Sequence, residues 1–215
     1  MHKYPWEGLT VKEMIGCGSY AAVYRVLLDG REYALKEIAL PRDEDEAKKL
    51  SRRLGGREQM REFCREAASE LVEETKILQK LSGHPNIVTI FDSRLTETEH
   101  GFVILILMEC LEPFEEYERS HALHEEDVIR LGMDMCSALE ACEKAAVLHR
   151  DLKPENLLAA PDGTFKLGDF GVAKNLEQTM TGSIKGTFTY MAPEVYHGKV
   201  YDHRADLYSL GMLMY

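Results

Sequence analysis

The sequence predicts an α+β chain in two parts, a β-rich N-terminal part with one helix and a mostly α-helical remainder. Three observations predict it. Apolar, strand-like runs meet at Asp29-Gly30, whose turn chemistry suits a hairpin. One stretch of helical periodicity, Glu66–Leu81, interrupts the β-rich region, with Ile77, Leu78 and Leu81 on one stripe. Beyond Pro113 the strongest pattern is an amphipathic helix over Glu125–Lys144.

Taken in order, Leu9 to Val26 reads as strand with a glycine-containing bend, and Glu32–Leu40 as a further strand ended by Pro41. Pro41 to Phe63 carries seven basic and six acidic residues around Gly55-Gly56, and reads as a solvated linker or short surface helix. Ser82-Gly83 stops the next helix and His84-Pro85 forbids its continuation. Ile87–Phe91 and Phe102–Met108 are strand candidates separated by a polar turn. In the long helix, Val128, Leu131, Met135, Leu139 and Cys142 take the buried side, and Glu125, Glu126 and Asp127 sit where the helix dipole favours acids. Cys110–Pro113 marks the boundary between the two parts.

Composition narrows the classes. With 26 basic and 37 acidic residues the net charge is −11, which argues against a surface that tracks nucleic-acid phosphates. The longest apolar run, Phe102–Met108, is too short to cross a bilayer, and MHKYPWEG carries no apolar leader segment. Five cysteines without CxxC spacing fit reduced thiols rather than a disulfide framework or zinc site. The expectation is a cytoplasmic chain, or the cytoplasmic domain of a longer protein, with no membrane segment of its own.

Four motifs carry chemistry. In Gly16-Cys17-Gly18-Ser19-Tyr20-Ala21-Ala22-Val23 the glycines let backbone amides approach phosphate oxygens, and a strand rather than a helix follows. Lys36, in Tyr33-Ala34-Leu35-Lys36, is a strand lysine that would be costly to bury without a partner. Third comes His149-Arg150-Asp151-Leu152-Lys153-Pro154-Glu155-Asn156, and fourth Asp169-Phe170-Gly171, with Ala192-Pro193-Glu194 beyond. Two carboxylates, a lysine and an amide at these spacings, behind a glycine loop and a strand lysine, are not the pattern of a random polar loop.

Together these motifs resemble the eukaryotic-type protein kinase family from about Leu9 to the last residue. The resemblance implies a bilobal kinase fold, with an N-lobe antiparallel sheet plus one helix over residues 9–111 and a mostly α C-lobe over 112–215. It implies ATP and Mg²⁺ as cofactors and protein substrates. Lys36 would pair the α- and β-phosphates, Asp151 would accept the substrate hydroxyl's proton, Asn156 would hold the second magnesium and Asp169 the bridging one. Gly16, Gly18, Ala21, Val23, Ala34, Met108, Glu109, Leu111 and Leu158 would surround the nucleotide, Met108 guarding the back of the adenine pocket and Glu109 to Leu111 forming the hinge. Glu66, Glu70, Glu73 and Glu74 compete as the acid facing Lys36. Counting back from the HPNIV segment, with Ile77, Leu78 and Leu81 turned to the core, favours Glu74, with Glu73 as the fallback.

Lys153, counted with the catalytic residues, and Gly186-Thr187 before Tyr190-Met191-Ala192-Pro193-Glu194 resemble the serine/threonine branch; Thr187 reads as structural. The charged insert and the loops give a bacterial-like flavour. Arg150 would receive a phosphate from the loop that carries Thr179, Thr181 and Ser183, which implies autophosphorylation and a homodimer for it to occur in trans. Asp206 would tie the catalytic-loop backbone to a buried helix, and His149 would be a packed residue, stacked on Phe170 against Leu78 and Ile90. Cys17 and Cys110 are small residues in the glycine loop and the hinge. A catalytically inactive scaffold of the same fold and a small-molecule phosphotransferase are the alternatives. The family reading also implies a fragment, because the chain stops inside the helix that carries Asp206; Leu210, Leu213 and Met214 would then be exposed, with poor solubility and weak activity.

Overall fold

The computed structural model of the chain describes residues 4–18, 20–169 and 188–215. They form two compact units: residues up to Lys80 with Ile90–Cys110 in the first, and Leu81–Thr89 with the described residues from Leu111 on in the second.

Five antiparallel strands make up the first unit: β1 (Thr10–Cys17), β2 (Ala21–Leu28), β3 (Arg31–Leu40), β4 (Ile90–Glu97) and β5 (Phe102–Met108), in the order β1-β2-β3-β5-β4. Side chains alternate across a strand, so residues paired across the ladder share a face. Val23 pairs with Lys36 and Lys36 with Ile106; Ala34 pairs with Met108. Leu35, packed with Val26, Val103, Leu105 and Leu107, belongs to the opposite face, where Tyr4, Trp6 and Leu9 cover the cluster. Trp6 Nε1 donates to Asp92 at 3.0 Å, which fastens that cover.

The charged stretch after Pro41 is more ordered than its composition predicts. It contains α1 (Glu44–Leu54) and the start of α2 (Arg57–Gln79), so the helix expected from Glu66 begins nine residues earlier. Asp43 caps α1 by accepting from the Glu46 amide at 2.8 Å, and Gly55 closes it in the left-handed conformation, φ 92°, where a side chain would be strained. Charges face water while Leu50, Met60, Cys64, Ala67, Ala68, Leu71, Thr75 and Leu78 form the buried stripe. That stripe leaves Ile77 out: it is 44% exposed, contrary to the expected trio.

The second strand candidate also shifts. β4 begins at Ile90 and runs through the expected polar turn to Glu97, whereas Ile87 makes a single parallel bridge with Leu167. Segment 86–88 is stitched there by Val88 N to Leu167 O (3.0 Å), Leu167 N to Asn86 O (2.9 Å) and Asn86 Nδ2 to Phe165 O (3.2 Å). Those bonds explain why Leu81–Thr89 belongs with the second unit.

Gly101 marks a close approach that composition does not announce. A Cβ there would lie 2.1 Å from the Leu40 carbonyl oxygen and 2.6 Å from Pro41 Cδ. Backbone cannot swing aside as a side chain tip can. Gly101→Ala should therefore cost about 2–3 kcal/mol in urea denaturation, as overpacking does; a midpoint equal to wild type would contradict the packing.

The second unit holds a small antiparallel sheet in the order β6-β7-β8: β6 (Glu112–Pro113), β7 (Leu157–Ala159) and β8 (Phe165–Leu167). Around it lie α3 (Phe114–Ser120), α4 (Glu125–Lys144), α5 (Pro193–Tyr196) and α6 (Arg204–Met214). α4 buries Leu131, Met135, Ala138, Leu139 and Cys142, but Val128 is 39% exposed, against expectation. It lies in the first turn, a full turn ahead of Leu131 and Met135. Leu210 is buried rather than exposed, and Leu213 and Met214 are half-buried, with Met214 against Gly132 of α4.

Candidate active site

In the first unit the ladder register brings several of the predicted strand residues to one face. Lys36 lies centrally in β3 and is only 6% exposed, so this strand lysine is buried. Val23, Ala34 and Met108 share its face by register. Gly16 pairs with Val23, and the Gly18 amide donates to the Ala21 carbonyl at 2.7 Å, which closes the turn between β1 and β2. Of the four acids weighed on α2, Glu66, Glu70 and Glu73 are exposed, and Glu73 pairs with Lys76 at 2.7 Å. Glu74 is half-buried, one turn from Leu71 and from Leu78. Glu109 is half-buried beyond β5, as is Cys110, whose thiol is pushed up by burial against the opposing pull of Arg25.

In the second unit the loop His149–Asn156 is held from beneath. Asp206, buried in the first turn of α6, accepts from the His149 amide at 2.8 Å and from the Arg150 amide at 2.9 Å. Arg150 sits at φ 66°, a conformation that non-glycine residues adopt at a cost. The sequence-level reading of Asp206 as the loop's tie matches these bonds. His149 is fully buried and Nε2 donates to the Gly168 carbonyl at 2.9 Å, since a carbonyl can only accept. Its expected neighbour Phe170 lies outside the described residues.

The loop's functional groups converge above this base. Asp151 and Lys153 form an ion pair at 2.9 Å. Asn156 Nδ2 donates to the Asp151 carbonyl at 2.6 Å and to Asp151 Oδ2 at 3.2 Å, which leaves the amide oxygen turned away from that carboxylate. The Gly168 amide donates to the Asn156 carbonyl at 2.9 Å, so Asp169 begins one residue from the Asn156 backbone. Asp169 is exposed and has a positive φ of 45°. An amide oxygen beside an exposed carboxylate is a donor set for a hard cation that keeps its waters or shares phosphate oxygens, so these two residues fit magnesium. Leu158, half-buried in β7, touches the space beside Gly168; Leu111 is half-buried ahead of β6. Thr179, Thr181, Ser183 and Thr187 lie outside the described residues.

Electrostatics follows from burial and pairing. Burial pulls the Lys153 ammonium down, but the hydrogen bond and charge of Asp151, together with the charges of Glu155 and Asp169, outweigh it, and the net shift is upward. Burial holds His149 below its ordinary value of 6.5, more strongly than the Gly168 carbonyl and nearby acids raise it. The folded protein therefore keeps a neutral imidazole where the unfolded chain takes up a proton. Stability from His149 is complete above about pH 6.5 and declines as pH falls below it, with a slope of up to about 1.4 kcal/mol per pH unit. Urea midpoints at pH 7.5 and 5.5 should separate in wild type more than in His149→Gln; equal separations would contradict the neutral buried histidine.

Sequence reasoning missed Asn86 and Asp134, which hold β8 from either side, Asp134 by accepting from the Phe165 amide at 2.9 Å. Asn86 lies in the HPNIV segment, which served only to count back along α2, and Asp134 lies in no recognisable motif. Tyr20 and Glu46, which bond to each other, also escaped notice because α1 was not expected there to bring them together.

The first unit thus holds a five-stranded sheet with a buried strand lysine, and the second a loop in which an aspartate, a lysine and an asparagine meet. Residues 9–215 match the protein kinase domain family, and the chain belongs to it. The chain is 34% identical over 210 residues to the serine/threonine-protein kinase atg1 of Dictyostelium discoideum, covering 94% of this chain and 29% of that one. Against mouse serine/threonine-protein kinase 36 it is 36% identical over 207 residues, 95% of this chain and 14% of the other. A probable serine/threonine-protein kinase of Clostridium perfringens is 33% identical over 146 residues, 66% of this chain and 21% of the other. The chain thus spans less than a third of the length of each of these relatives.

Proposed function

We propose that this domain transfers the γ-phosphoryl group of ATP, with Mg²⁺, to serine or threonine hydroxyls of protein substrates. The observation that carries this reading is the cluster of Asp151, Lys153 and Asn156 beside Asp169, held on a backbone that Asp206 fixes. Asp151 orients the substrate hydroxyl and accepts its proton, while Lys153 lies beside the incoming phosphoryl oxygens. Asn156 and Asp169 would hold magnesium, which when bound neutralises phosphate charge. Lys36 takes the α- and β-phosphates, and Glu74 is its acidic partner; the half-buried position of Glu74, against the exposure of its three competitors, supports that choice. The glycines of the β1–β2 turn cover the phosphates, and Ala34, Met108 to Leu111 and Leu158 surround the base. We place the domain in the cytoplasm, alone or as part of a longer protein; its described cysteines are free thiols and no described helix is long and apolar enough to cross a membrane.

Autophosphorylation in trans at Thr179, Thr181 or Ser183, with Arg150 receiving the phosphate, is part of the same proposal. The test is transfer of label from γ-labelled ATP to a serine-containing basic protein and to the chain itself, with and without EDTA. Metal-dependent label on serine or threonine supports the reading. Label that persists unchanged in EDTA, or none at any magnesium concentration, overturns it.

A further inference from the structure

Tyr20 directly precedes β2 after the glycine turn and is 5% exposed, well enclosed for a residue outside a strand. Its carbonyl accepts from the Ala39 amide at 3.2 Å, which extends the β2–β3 ladder to the turn. Its hydroxyl donates to one carboxylate oxygen of Glu46 in α1. The other oxygen of Glu46 accepts from the Arg42 amide at 2.8 Å, and the Arg42 guanidinium lies 5.8 Å from the centre of the Tyr20 ring. Asp43, the cap of α1, binds the Arg42 side chain at 2.8 Å and the Glu46 amide at 2.8 Å. The N-terminal turn of α1 is therefore built around Tyr20. α1 packs in turn on α2, the helix that carries Glu74, and Glu46 stands close enough to Cys64 of α2 to help burial push that thiol up to about 11.

A turn with Gly16 and Gly18 has wide backbone freedom, and ordering it when a ligand binds has an entropic cost. Holding one end beforehand lowers that cost, which is how preorganisation raises affinity. We infer that Glu46 and Tyr20 are positioning residues for nucleotide binding: through this bond, α1 fixes the C-terminal end of the glycine turn in the shape that receives the phosphates. The inference rests on the reading of that turn as the phosphate cover. Neither residue touches the nucleotide by way of its side chain in this scheme; both act through the backbone of the turn.

Tyr20→Phe and Glu46→Ala each remove the bond, whereas Glu46→Gln keeps an acceptor oxygen. Both removing variants should raise KM for ATP roughly three- to tenfold, the scale of the net contribution of one ordinary hydrogen bond. Their kcat should stay within about twofold, as for a change in binding alone. Glu46→Gln should lie near wild type, and Tyr20→Phe with Glu46→Ala should be no worse than either single variant. Hydrogen exchange at the Gly18 amide should quicken in both removing variants, with or without nucleotide. Unchanged KM and unchanged Gly18 exchange would overturn the inference, as would a loss of thermal stability and kcat that Glu46→Gln does not restore. A wild-type domain with no metal-dependent ATP turnover would sink the kinase reading instead, and the exchange measurement would still decide whether α1 holds the turn.

Discussion

Asp206→Ala is expected to destabilise the domain by about 3 kcal/mol or more and to slow phosphoryl transfer at least about a hundredfold. Two backbone amides, His149 and Arg150, donate to this one carboxylate at 2.8 and 2.9 Å, and His149 is fully buried. Each donor left without a partner in such a setting costs about 1–3 kcal/mol. The carboxylate also holds Arg150 at φ 66°, so its loss lets the backbone relax into an ordinary region and turns Asp151 with it. Burial first, and then the nearby Asp206, push the Cys142 thiol of α4 up to about 12. Asp206→Asn keeps one acceptor and offers a donor where a second acceptor is needed, so it should recover part of the stability and little of the rate. Urea denaturation with initial-rate kinetics checks both. A shift below about 0.5 kcal/mol, the range of surface substitutions, would show that the loop carries itself.

The loop and its anchor were legible because their chemistry fixes residue types at short spacing. An ion pair between Asp151 and Lys153, and an amide at Asn156 that donates to Asp151, leave few choices of residue at those positions. Strands β1 to β3 and β5 were legible from apolar runs, and helix α4 from its period. What escaped reading is set by packing between segments distant in sequence. α1 buries only Leu50, and the first half of α2 only Met60, Cys64, Ala67 and Ala68, beneath a mantle of charge, too thin a stripe to stand out from a linker. Ile77 and Val128 fit helical periods yet lie off the buried stripes. Gly101 looks like any turn glycine until Leu40 is seen against it. The bacterial flavour rested on loop lengths and surface charge, which chemistry does not fix, and relatives at similar identity come from slime mould and mouse as well as from a clostridium.

Asp151→Asn should lower kcat by about a thousandfold or more while leaving KM for ATP within a few-fold, since proton acceptance by a positioned base contributes roughly 10²–10⁴ to rate. Asparagine keeps the shape and can still accept from Asn156 Nδ2, which reaches the wild-type carboxylate at 3.2 Å. It cannot take a proton from a hydroxyl, and it brings no charge to hold Lys153, now 2.9 Å from the carboxylate. The Lys153 pKa should accordingly fall, because the hydrogen bond and charge that do most to oppose its burial are gone. In wild type that raised pKa means a stabilising contribution present below the unfolded lysine value of 10.5 and lost as pH rises through the folded one. The variant should therefore show a weaker decline of stability above that pH, along with its loss of rate. Steady-state kinetics at saturating ATP, beside urea midpoints at neutral and alkaline pH, gives both readings. Wild-type turnover in Asp151→Asn would remove this carboxylate from the chemistry, and an unaltered alkaline decline would remove Asp151 as the partner that sets Lys153.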